Sequence, residues 1–141
     1  MRCQEIMKRD VESLTPQDTT QAAARRMRDE NVGFLPVCDS SGRAVGTVTD
    51  RDLALRALCD GRPATTPVGE LMTREVISCR PEDDLRTAED LMAQKHKSRI
   101  ICVDGAGKVV GVISLSDIAL REDGARASQT LKRVSEREAR A

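Results

Sequence analysis

The chain has 141 residues, 33% of them charged, with 23 basic and 23 acidic side chains that leave no formal net charge at pH 7. That balance excludes the basic face on which nonspecific nucleic-acid binding depends, and the length allows one or two small cores but no separate catalytic domain. No apolar run is long enough to cross a bilayer, and Met1-Arg2-Cys3-Gln4-Glu5 opens a mixed polar segment rather than a signal-peptide core, so the chain is read as cytoplasmic and independent of membranes.

A short strand is expected over Val11–Leu14, stopped by Pro16. Asp18 is placed to cap the helix that follows, with Gln21 completing a capping box, and Thr20, Ala23, Ala24 and Met27 fall on one helical face. Phe34–Cys38 and Ala44–Thr49 are β-rich runs separated by Asp39-Ser40-Ser41-Gly42, which predicts a hairpin with a glycine-assisted turn. Asp50–Cys59 returns as a helix. Pro63 and Pro67 make residues 61–69 a linker. The same order follows: a strand near Val76–Cys79, a helix from Asp84 to about Lys95, a hairpin over Ile100–Ser114 turning at Asp104-Gly105-Ala106-Gly107, and a helix over Ser116–Arg121. Residues 124–141 are charged, with Leu131 and Val134 as the larger apolar residues, and read as a partly helical surface extension. Its basic residues Arg126, Lys132, Arg133, Arg137 and Arg140 form a solvated charge run.

The order recurs because the segment is duplicated. A shift of 65 residues aligns Glu5–Arg56 with Glu70–Arg121 without a gap, and 17 of the 52 pairs are identical, against roughly 3 for random composition. The fold class is therefore α+β, two β-α-β-β-α repeats at 4–60 and 70–123 joined by the linker. Each repeat is too small to be comfortable alone, so pairing of the two is expected. Cysteines at 3, 38, 59, 79 and 102 form an odd set without a C-x-x-C pair, and with a single histidine this points to reduced thiols and no metal site. Cys38 and Cys102 are read as small buried hydrophobes, and Met7, Met27, Met72 and Met92, which match at the 65-residue shift, as core fillers.

Chemistry concentrates where each hairpin runs into its last helix. Gly46-Thr47-Val48-Thr49-Asp50-Arg51-Asp52 and Gly111-Val112-Ile113-Ser114-Leu115-Ser116-Asp117 share a pattern of glycine, hydroxyl and carboxylate. A small residue lets a ligand approach the strand, a hydroxyl at a helix start meets phosphate, and a carboxylate accepts the two hydroxyls of a ribose. One such segment alone reads as a helix cap; two at equivalent positions read as a nucleotide-gripping device. No set of nucleophile, base and orienting group and no P-loop is present, so no catalytic residue is assigned.

With these segments, with Phe34-Leu35-Pro36-Val37-Cys38-Asp39 and Arg99-Ile100-Ile101-Cys102-Val103-Asp104, and with Glu5-Ile6-Met7 and Glu70-Leu71-Met72 leading the copies, the chain resembles the cystathionine β-synthase (CBS) domain family over about residues 4–123. The resemblance implies a pseudo-twofold pair with two clefts that accept AMP, ADP, ATP or S-adenosylmethionine, no required cofactor, a homodimer, and a sensing role toward an effector protein of unknown identity. It implies that Asp52 and Asp117 hold ribose hydroxyls and that Thr49 and Ser114 meet ribose or phosphate. Val32, Gly33 and Phe34 in one copy, and Lys97, Ser98 and Arg99 in the other, would line the adenine or phosphate path. The copies are unequal. Copy two offers Ser116 as a second hydroxyl and Arg99 as a fork for phosphate, whereas copy one has Phe34 at that place and Arg51 as its cation. Copy two also departs from the family by Ile101 where a proline normally stands. The competing expectation is a dimeric assembly module without useful nucleotide affinity.

Overall fold

A computed structural model describes residues 1–121 and 124–139. The expected hairpins are present. Strands β1 (Phe34–Cys38) and β2 (Ala44–Thr49) pair antiparallel, as do β4 (Arg99–Val103) and β5 (Val109–Ser114). Each turn is closed by an aspartate. The Asp39 carboxylate accepts from the backbone N–H groups of Ser41 and Arg43 at 2.9 and 3.1 Å, and that of Asp104 accepts from Ala106 and Lys108 at 2.9 and 3.0 Å. Gly42 and Gly107 supply the left-handed residues, at φ 82° and 83°. These backbone donors hold the Asp104 carboxyl below the usual aspartate range.

The strands expected ahead of each first helix are much shorter than the sequence suggests. In copy two only β3 (Ser78–Cys79) forms, parallel to β4. In copy one the run is reduced to one parallel bridge from Leu14 to Val37, because only Leu14 uses both its backbone groups, donating to Pro36 and accepting from Cys38. Helix α1 (Thr20–Glu30) is capped by Thr19 rather than Asp18. The Thr19 hydroxyl accepts from the Ala22 N–H at 3.1 Å, while Asp18 closes the preceding turn by accepting from the Thr15 N–H at 2.8 Å. Helix α3 (Leu85–Lys95) takes Asp84 as its cap, and Asp83 closes the turn before it. Helix α2 is a single turn, Asp50–Asp52, that continues as a π-helix over Leu53–Leu58; α4 spans Leu115–Arg121.

Compactness divides the chain differently from repetition. Residues 12–76 form one unit, and residues 1–11 join residues 77–141 in the other. The lead segments explain this. Cys3–Glu5 makes a 3-10 turn whose chain continues to Lys8, and Lys8 exchanges both backbone hydrogen bonds with Val112 of β5, at 2.9 and 3.0 Å. Val68–Glu70 makes the equivalent turn, and Thr73 exchanges both bonds with Thr47 of β2, at 2.9 and 2.8 Å. Each hairpin is thus covered by the lead segment of the other copy.

Each unit has its own core. In residues 12–76 it is built from Leu14, Leu35, Val37, Val48, Val68 and Leu71 with Met27 and Met72; in the other unit from Leu85, Ile100, Ile113, Ile118 and the thiols of Cys3, Cys79 and Cys102 with Met7 and Met92. The four methionines and the thiols of Cys38 and Cys102 are buried, as expected.

The tail corrects the surface-extension reading. It forms α5 (Gly124–Ala139), which packs along α3 and α4, buries Val134 and Thr130, and leaves Leu131 half exposed. The Thr130 hydroxyl donates to Glu89 Oε2 at 2.7 Å across a buried contact, and Arg126 lies 3.9 Å from Oε1 of the same carboxylate. Arg133 reaches to 3.9 Å from Asp90. A buried carboxylate is kept only where partners meet it, and in α1 the position of Glu89 is taken by an exposed Ala24. Of the basic run, Arg140 and the Arg137 side chain lie outside the described residues.

Candidate functional site

At one end of each hairpin the chain enters the first strand and leaves the second at the same place, so two stretches distant in sequence meet. In residues 12–76 the turn after α1 is made by Asn31 at φ 55°, Val32 and Gly33 lead into β1, and Phe34 stands opposite Thr49 in the register. The Asp50 N–H donates to the Gly33 carbonyl at 3.0 Å. Val32, Gly33, Phe34, Thr49, Arg51 and Asp52 therefore share one corner of the unit. The other unit repeats it: His96 at φ 54°, Lys97 and Ser98 leading into β4, Arg99 opposite Ser114, and the Leu115 N–H donating to the Ser98 carbonyl at 2.8 Å. Lys97, Ser98, Arg99, Ser114, Ser116 and Asp117 share that corner. Thr49 and Asp52 are partly buried, as are Ser114 and Asp117, while Arg51 and Ser116 are exposed in the first helical turns.

The hydroxyl and carboxylate of each motif cap one another. Thr49 Oγ1 accepts from the Asp52 N–H at 3.1 Å and Asp52 Oδ2 accepts from the Thr49 N–H at 3.0 Å; for Ser114 and Asp117 the distances are 3.1 and 2.9 Å. The modest capping reading is thus satisfied in both copies. It engages one oxygen of each carboxylate, and Oδ1 lies outside the box. Around Asp52 that oxygen is 3.8 Å from Arg56 Nε, one turn along. Arg56 was not among the expected residues, although its i+4 spacing from Asp52 was visible.

The glycine of the motif has a different purpose from the one expected. A β-carbon at Gly46 would stand 2.6 Å from Met72 Sδ and 3.0 Å from the Thr73 carbonyl oxygen; at Gly111 it would stand 2.8 Å from Met7 Sδ and 2.9 Å from the Lys8 carbonyl oxygen. These glycines admit the lead segment to the hairpin rather than a ligand. Gly33 is confined in another way, since its β-carbon would come 2.9 Å from Asp50 Oδ2. The Asp50 carboxylate thus sits over the entry to β1, where the other unit has Leu115. Over the seven matched positions, copy one carries Asp50 and Asp52 against Arg51, and copy two carries Lys97 and Arg99 against Asp117. The two corners differ in sign.

Ser116 also lines a cavity of about 400 Å³ between α4 and α5, with Leu115, Ala119, Gly124, Ser128 and Leu131. A smaller polar one, about 220 Å³, lies between α3 and α5 around Arg86, Glu89, Arg126 and Arg133. Among the described residues no group of three or more His, Cys, Asp or Glu side chains is arranged to hold a metal ion, and no helix is long and apolar enough to cross a membrane.

Comparison with known proteins identifies the repeated unit. The family model described as CBS domain matches twice, over residues 3–58 and 68–123. A Bacillus subtilis relative, CBS domain-containing protein YhcV, is 39% identical over 118 residues, 84% of this chain and 83% of that protein. The CBS domain pair of protein MJ0100, solved in complex with 5′-methylthioadenosine and S-adenosyl-L-methionine, superposes with a TM-score of 0.77 at 25% identity over 85% of this chain and 94% of that one. Hypoxic Response Protein I, solved with two coordinated zinc ions, superposes with a TM-score of 0.78 at 26% identity, covering 87% of this chain and 100% of that one.

Proposed function

The chain belongs to the CBS domain family, and we propose that it is a cytoplasmic, non-catalytic regulatory module that binds an adenosine-containing ligand at its two strand-to-helix corners and relays occupancy to an effector protein. The observation that carries this reading is the repetition of one constellation, hydroxyl, carboxylate and pre-strand backbone, at the same corner of both units. Duplication of a fold requires the core to be repeated, but it does not require a partly buried carboxylate to be retained. The complex of MJ0100 with two adenosine compounds supports the same ligand class.

In this reading Asp52 and Asp117 turn Oδ1 to the ribose hydroxyls while Oδ2 keeps the helix capped, and Thr49 and Ser114 add a hydroxyl beside them. Val32, Gly33 and Phe34, or Lys97, Ser98 and Arg99, bound the base and phosphate path. The ligands at the two corners differ. Arg99 and Lys97 favour a phosphorylated ligand such as AMP, ADP or ATP, while Asp50 over Gly33 disfavours phosphate and suits a neutral or sulfonium-bearing nucleoside such as S-adenosylmethionine. The test is binding by the full chain carrying Asp117→Ala with Asp52→Ala: affinity is lost while the fold survives. Retained affinity in a folded double variant refutes the ribose assignment.

A second reading, a homodimeric assembly module, is favoured by Leu55 and Leu120. They occupy the same place in the two repeats and are 49% and 85% exposed. Melting that depends on protein concentration but is indifferent to nucleotide would support it.

A further inference from the structure

Three buried thiols meet in the core of the unit made by residues 1–11 and 77–141. Cys79 and Cys102 stand opposite each other in the parallel β3–β4 pair, with their sulfurs 3.4 Å apart, and Cys3 is buried in the same core cluster. The duplication provides an internal control. At the 65-residue shift the same three places in the other unit are Val68, Leu14 and Val37, equally buried and joined by the same parallel bridge, Leu14 to Val37. A cysteine in a core commonly serves as a small hydrophobe, but here the fold itself shows that aliphatic side chains fill these places. Three replacements in one core, two of them in sulfur contact, go beyond what packing asks.

We propose that Cys79 and Cys102 form an oxidisable dithiol, converted by a peroxide-class oxidant to a disulfide that bridges β3 and β4. The sulfurs face each other across paired strands at 3.4 Å, and bond formation brings them to about 2.05 Å. In the first step the Cys79 sulfur attacks a peroxide oxygen, the O–O bond breaks and one water leaves, giving the sulfenic acid. In the second the Cys102 sulfur attacks that sulfur, the S–O bond breaks and a second water leaves. Two electrons pass from the thiols to the peroxide, and the two thiol protons depart in the waters.

The N-terminal segment controls access. In the closed unit contact with Cys102 and burial push the Cys79 thiol up to about 12, against an opposing effect of Cys3, so it is protonated and slow to react. Cys3 is carried onto it by a segment held through backbone bonds from Cys3 to Asp83 and from Gln4 to Pro81, at 2.9 and 2.8 Å, and through the Lys8–Val112 pair. Lifting that segment relieves the burial of Cys79 and exposes it to water and oxidant. The disulfide is then a covalent record that the segment had undocked.

The test treats the full chain, with the exposed Cys59 replaced by serine, with hydrogen peroxide, followed by alkylation under denaturing conditions and peptide mass mapping. The expected product is a Cys79–Cys102 linked peptide lighter by two hydrogens and cleaved by dithiothreitol. Cys38, the buried thiol of the other unit, gives no linked peptide, because only the pair holds a second sulfur in contact. Cys102→Val, which installs the side chain of the other unit, abolishes the link. Gly111→Ala, which loosens the segment, accelerates linking several-fold. The proposal is overturned if Cys79 and Cys102 stay separately alkylatable, or if Cys3 and Cys79 are the residues linked; an unchanged rate in Gly111→Ala overturns the gating.

Discussion

Replacing Gly111 by alanine tests what the motif glycine is for. The added β-carbon would lie 2.9 Å from the Lys8 carbonyl oxygen and 2.8 Å from Met7 Sδ. The methionine end can swing aside, but the carbonyl belongs to a backbone held by two hydrogen bonds to Val112. Either the strand absorbs the overlap as packing strain, at about 1–3 kcal/mol, or the segment lifts and gives up two backbone bonds at about 1 kcal/mol each. Both routes put the loss near 1–3 kcal/mol. At about 3 °C per kcal/mol for a chain of this size, Tm falls by roughly 3–9 °C. Gly105→Ala is the control, since its β-carbon would meet only Arg80 Nη1 at 3.6 Å, and it should stay within about 0.5 kcal/mol of the parent. Thermal unfolding by circular dichroism compares the two. Should Gly111→Ala melt with Gly105→Ala yet lose ligand binding, the glycine serves ligand approach and the packing account is refuted.

Further outcomes follow from the same contacts. Glu89→Ala removes the acceptor of Thr130 and the carboxylate beside Arg126, at about 1–3 kcal/mol, and α5 exchanges its amide hydrogens faster than α3; unchanged exchange would show that the helix is held without the Glu89 contacts. Arg99→Ala weakens AMP by about tenfold or more through loss of a charge-assisted bond while leaving adenosine binding nearly unchanged, as read by calorimetry, and equal losses for the two ligands would contradict the phosphate role. The Asp104 carboxyl is held below its ordinary value, chiefly by the Lys108 N–H. Because the folded value is the lower one, the stability it contributes is present above the unfolded aspartate pKa of about 3.9 and is lost as pH falls through the folded value. Carbon-detected NMR titration should place Asp104 below an unstructured aspartate; a midpoint at or above it would remove the turn bonds from the account.

What could be read in the chain was what depends on neighbours in sequence. The hairpins were legible because an aspartate and a left-handed glycine at fixed spacing dictate each turn, and Asp39 with Gly42 recurs as Asp104 with Gly107. The pairing of each lead segment with the hairpin of the other copy was not legible, since Lys8 and Val112 are brought together only by the fold. Its one trace was the glycine opposite, which sequence logic assigned to a ligand. The cap of α1 was misplaced by one residue because Asp18 and Thr19 are both good caps and the Thr15 turn claims the first. The docking of α5 left a fainter sign, a glutamate on α3 where α1 carries alanine, whose meaning needed the buried Thr130 to appear. At the candidate site the named residues of each copy share one corner, and Asp50, which gives the first corner its sign, emerged only from its position over Gly33.

The central claim is that two like-built corners grip an adenosine ligand. Isothermal titration of ligand-free full chain with AMP, ADP, ATP and S-adenosylmethionine addresses it most directly. The account predicts saturable heat that Asp52→Ala with Asp117→Ala abolishes, with Arg99→Ala reducing the nucleotide response and sparing that of S-adenosylmethionine. Absence of heat with all four, from protein shown to be folded and free of bound ligand, would contradict it.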